Sequence, residues 1–145
     1  MAITLFDPAW IITRLQSQVT SLKLVGGAAD FASAVESLKQ GPAAFVLPNA
    51  ERASGSRTGT MVVSQENSVR FPVVTAVQNL RDARGERAQT DLRTLRTAIL
   101  NALHGWQPDA EFNPIEYSGG RLLQLTDQVV WYQDEFVTTH ELRSL

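Results

Sequence analysis

Ala88, Leu92, Leu95, Ile99 and Leu103 are spaced four, three, four and four residues apart, and no other pattern in these 145 residues constrains the fold as tightly. That spacing sets five apolar side chains on one face of an α-helix. Gly105 follows where a left-handed cap would stand, and Pro108 prevents the helix from resuming. A helix with one apolar face must lay it against another element. Val69 to Leu80 before it, and RLLQL and QVVWYQDEFVTT after it, read as strands that could form that surface.

The remaining elements follow from caps and breakers. Asp7-Pro8 starts a helix whose apolar face is Ile11, Ile12, Leu15, Val19 and Leu22. Leu22 to Val25 reads as a short strand ended by Gly26-Gly27, and Asp30 as the cap of a second helix reaching Leu38. AAFVLP reads as a buried strand, and NAERASGSRTGT after it as an exposed loop. Thr60 to Ser64 and Val69 to Leu80 are expected to be two strands turning at Glu66-Asn67-Ser68, with Pro72 calling for an edge position or a bulge. Thr126-Asp127 would turn the closing hairpin. The sum is one α+β domain over residues 1–145, a mixed and largely antiparallel sheet with two to three helices packed on it.

Composition removes several classes of function. There is no cysteine, hence no disulfide frame, thiolate metal site or cysteine nucleophile. The two histidines, His104 and His140, lack HExxH spacing, and no phosphate-binding glycine loop is present. GSRTG lacks the order of a serine nucleophile elbow and reads as a loop. Asp134 and Glu135 are adjacent, so a strand would point them to opposite faces, where they could not work as an acid and base pair. No catalytic residue, cofactor or metal is expected. No apolar run approaches the roughly 20 residues of a membrane helix, MAITLFDPAW lacks the basic flank and long apolar core of a signal peptide, and a soluble chain is expected. His104 in the last turn of the main helix has a structural reading, opposite the negative end of the helix dipole. Trp10, Trp106 and Trp131 read as core or interface residues.

Charge is unevenly distributed. Arg81 to Arg96 holds five arginines against three acids, while Gln107 to the C-terminus holds seven acids against Arg121 and Arg143. A basic and an acidic region on one chain suit head-to-tail contact between copies. The competing use is nucleic-acid binding through Arg84, Arg87, Arg93 and Arg96. Asp82, Glu86 and Asp91 are interleaved with these arginines and the net charge is −2, so direct nucleic-acid binding is not expected. A solvated helix face with ion pairs three and four residues apart accounts for the same residues more simply.

The run VQNLRDARGERAQTDLRTLRTAILNALHGWQP, continued by EYSGGRLLQLTDQVVWYQDEFVTTHEL, resembles the tail terminator proteins of long-tailed bacteriophages, in particular the siphovirus and Mu-like group. DFASA and PAAFVLPNAERA upstream fit the same pattern, so the likeness spans nearly the whole chain. The resemblance implies a structural virion protein that forms a ring, usually hexameric. The ring would cap the tail tube, end its polymerisation and offer the head-joining surface. Implied partners are further copies of the chain, the tail tube protein and the head–tail connector or neck protein. Its place would be the head-proximal end of the tail, with assembly in the host cytoplasm. Another connector or neck protein is the nearest alternative. Within this reading Arg81, Asp82, Arg84 and Arg87 are candidate docking residues, since arginine bonds carboxylates bidentately. Arg52 and Arg57 in the upstream loop Glu51 to Thr58 are the second candidates.

Overall fold

The computed structural model describes residues 2–36, 38, 41–78, 86–125 and 129–144, with backbone alone for 86–89 and 125. Among these residues, three helices and six strands follow the order α1 (Pro8–Gln18), β1 (Leu24–Gly26), α2 (Ala28–Glu36), β2 (Ala43–Val46), β3 (Ala50–Ala53), β4 (Ser64–Gln78), α3 (Glu86–Leu103), β5 (Glu116–Leu125) and β6 (Val129–Arg143). The strands form one sheet in the order β1-β2-β4-β6-β5, with β3 also paired to β4. Only β1 and β2 run parallel; the other pairings are antiparallel. The α+β class and the mixed, largely antiparallel sheet are as expected.

Strand alternation divides the sheet into two faces. Val69, Phe71, Val73 and Val77 of β4 and Val130 and Phe136 of β6 share one core with Ile11 and Leu15 of α1 and Leu92, Leu95, Ile99 and Leu103 of α3. Val74 and Ala76 point the other way and join Phe45, Trp131 and Ala34 of α2. The long helix therefore buries the stripe its spacing defines, as far as its described side chains run; Ala88 lies outside them. Through the first core Phe6, Phe71 and Phe136 stack in a row, with ring centroids 5.0 and 5.6 Å apart. Each buried phenylalanine contributes about 1.5–3 kcal/mol relative to exposure.

The helix ends show why these residues stop and start where they do. Asp7 accepts from Ala9 N at 2.9 Å, and Pro8 occupies the first turn. Asp30 does not cap α2 from outside; it lies in the first turn, and its carboxylate reaches back to Gly27 N at 3.0 Å. That is the returning half of a capping box, which places the helix start before Asp30. At the end of α3, Gly105 has φ +80°, and its N–H donates to Ile115 O at 2.7 Å. Arg14 of α1 donates to Ala102 O at 3.0 Å and lies over the Trp106 ring, so a terminal carbonyl of α3 is bonded by another helix. His104 is exposed beside this end and takes no part in that contact.

Three further expectations are corrected. Glu66-Asn67-Ser68 is no turn: β4 runs unbroken through it for 15 residues, paired along its length with β6, and Thr60 to Val63 are not strand. Ala50 to Ala53 is not loop but the short strand β3. Pro72 occupies neither an edge nor a bulge. Its carbonyl accepts from Leu47 N at 3.0 Å, and in an extended strand a residue's N and C=O project to the same side. The missing N–H thus faces the break between β2, which ends opposite Val73, and β3, which begins opposite Arg70. A central strand accepts proline where its neighbour is interrupted.

Candidate functional site

The sheet face beneath α3 carries the most highly connected polar cluster among the described residues. Asp134 of β6 points toward α3 and is completely buried. Arg96 of α3 donates to it three times, from Nε to Oδ2 at 3.0 Å and to Oδ1 at 3.2 Å, and from Nη2 to Oδ1 at 2.8 Å. Tyr117 Oη of β5 donates to Oδ1 at 2.9 Å and accepts from Arg96 Nη2 at 3.3 Å. The guanidinium also lies over the Tyr132 ring, 3.9 Å from its centroid. The hydrogen bond to Asp134 raises the Arg96 pKa further above its ordinary value, although burial opposes this. Burial first, and the carboxylate second, raise the Tyr117 pKa.

Two backbone features make room for the cluster. Gly119 has φ +143° at a register shift of β5, so the strand bulges there. A Cβ on Gly120 would lie 2.5 Å from Tyr117 Oη and 2.7 Å from Asp134 Oδ1. Glycine is needed because the two polar side chains occupy the space.

A second cluster binds the three strands at the other end of the sheet. Asn67 Nδ2 donates to Glu51 Oε1 of β3 at 2.9 Å and lies 2.9 Å from His140 Nε2 of β6. The carboxylate fixes the amide with its nitrogen inward, so His140 Nε2 must accept and the ring is neutral. His140 stacks on Phe112 with centroids 4.1 Å apart, and burial lowers its pKa, partly offset by Glu51. Beside it Ser64 Oγ bonds Glu141 Oε1.

These arrangements hold elements together. Every oxygen of Asp134 is engaged, its only acidic neighbour in sequence, Glu135, points to the opposite face, and no described group of three His, Asp or Glu residues could hold a metal ion. A depression lined by Gly119, Gly120, Arg121, Gln133 and Glu135 lies across the paired strands β5 and β6.

Arg81, Asp82 and Arg84 lie outside the described residues, as does the Arg87 side chain. Arg52 projects from the exposed strand β3, and Arg57 pairs with Glu66 at 3.3 Å on the surface. Arg96 departs from the sequence reading of a solvated face, since its partner is 38 residues away on β6 rather than one turn away. Tyr132, set apart from the arginines in sequence, lies against one of them. The pairing of Arg96 with Asp134 had no local signal beyond an acid that strand alternation sets on the same face as Val130, Tyr132 and Phe136.

A sequence profile of the phage tail terminator protein family matches residues 1–144, and the chain belongs to that family. It is a structural component of a bacteriophage tail with a role in tail assembly. No curated protein matches it closely enough to count as a relative.

Proposed function

We propose that this chain, as one domain over residues 1–145, closes into a homo-hexameric ring on the head-proximal end of the tail tube. There the ring ends tube polymerisation and presents the surface that receives the head, through the connector or neck protein. Membership of the tail terminator family over residues 1–144 carries this reading. A closed ring needs two different patches on each subunit, one meeting the other on its neighbour. The uneven distribution of charge along the chain supports that, since opposite surfaces set register and speed encounter. Assembly takes place in the host cytoplasm.

Arg81, Asp82, Arg84 and Arg87 form the proposed docking segment at the start of α3, with Arg52 and Arg57 on the β3 side as a second contact. Arg96 is not available to a partner, because Asp134 and Tyr132 occupy it.

Complementation in a terminator-deficient phage tests the function. Supplying this chain should give tails of normal length joined to heads, and the Arg84→Glu, Arg87→Glu variant should not. Overlong tubes despite expression of the folded chain would exclude termination. Normal tubes left unattached in its absence would assign it to the neck instead.

A further inference from the structure

The sheet ends at β5, a ten-residue strand paired on one side only, with β6. Its outer backbone groups have no strand partner among the described residues. A register shift between Leu122 and Gln124 leaves Leu122 and Leu123 51% and 38% exposed. Long edges that present apolar side chains are templates for another strand.

The N-terminal segment has the opposite deficiency. Phe6 anchors it in the core, stacked on Phe71, and α1 begins at Pro8. Ahead of this anchor the segment is outside any helix or strand, and Ile3 and Leu5 are 57% and 62% exposed. Residues 3–5 make no hydrogen bond among the described residues. Two apolar residues in i, i+2 alternation with a free backbone are the makings of a strand that has no sheet. The segment carries no charged side chain before Asp7.

We infer that residues 2–5 of one subunit add as a short strand along the outer edge of β5 on the next, packing Ile3 and Leu5 against Leu122 and Leu123. This rests on the ring reading and deepens it by naming one of its contacts. The occupant is a second copy because one chain carries both halves of the contact and leaves them unpaired within its own fold among the described residues. Arm and edge are different surfaces, which is the condition for a head-to-tail ring. Main-chain bonds supply affinity in such strand addition, and alternate side chains supply register.

The absence of cysteine makes the test direct. Ile3→Cys and Leu122→Cys are introduced together and separately, at exposed positions that leave the core untouched, and disulfide formation is read on non-reducing gels with and without tail tubes. A disulfide requires Cα atoms within about 7 Å, so it reports real contact. The double variant should give a ladder of covalent multimers. The two single variants should cross-link when mixed, giving dimers that neither gives alone. An intrachain link that runs as a monomer, or multimers that carry no link between the two sites, would overturn the inference and leave the ring intact. A chain that stays monomeric with and without tubes would overturn the ring itself, and this contact with it.

Discussion

Arg96 of α3 clamps the fully buried carboxylate of Asp134 in β6 with three hydrogen bonds, the shortest 2.8 Å. It is the one ion pair between a helix and the sheet among the described residues. Its consequence is mechanical: the helix that follows the proposed docking segment is held to the longest strand pair of the sheet.

Removing the arginine leaves a buried carboxylate with Tyr117 alone. Arg96→Met should therefore destabilise by about 3 kcal/mol, the lower end for a broken buried pair because Arg96 is partly exposed. Asp134→Asn added to Arg96→Met should recover part of that loss. Urea unfolding of the single and double variants measures both; a double variant no more stable than Arg96→Met would show that uncompensated charge is not the cause.

Gly120→Ala should cost about 1–3 kcal/mol, because its methyl group meets Tyr117 Oη and Asp134 Oδ1 inside 3 Å. Gly55→Ala, with nothing within 4 Å, should change stability by less than about 0.5 kcal/mol. Equal melting temperatures for the two variants would contradict the crowding at Gly120.

Thr75 is fully buried and its hydroxyl has no hydrogen-bond partner among the described residues. Thr75→Val keeps the shape and removes the orphaned group, so it should raise stability by about 1 kcal/mol. A loss of stability on thermal or chemical unfolding would mean that the hydroxyl is satisfied after all.

Burial holds the His140 pKa below its ordinary value. The unfolded chain then binds more protons in the interval between the two values, so stability is complete above about pH 6.5 and declines as pH falls through it toward the folded pKa. The urea midpoint should drop between about pH 7 and pH 5, and His140→Gln should flatten that decline. An unchanged slope in the variant would place the sensitivity elsewhere.

What could be read from the sequence was what local chemistry determines. The apolar stripe of α3, the Asp7-Pro8 start and the Gly105 stop are set by residues next to one another, and they stand. Asn67 and Pro72 misled because their usual meanings assume that nothing distant intervenes. Glu51 and His140 satisfy the Asn67 amide inside a strand, and the gap between β2 and β3 accommodates Pro72. Arg96 shows the same limit: a helix surface offers partners one turn away, but a desolvated carboxylate on β6 binds it more strongly. The edge of β5 was visible only as a strand, since which strand lies last depends on the pairing of all the others.

Ring assembly is tested most directly by electron microscopy of the purified chain across a range of concentrations, with particle mass measured in parallel and tail tubes added in a second series. Closed six-fold rings, free or seated on one end of the tubes, are the predicted result. A chain that remains monomeric at every concentration and leaves both tube ends bare would contradict it.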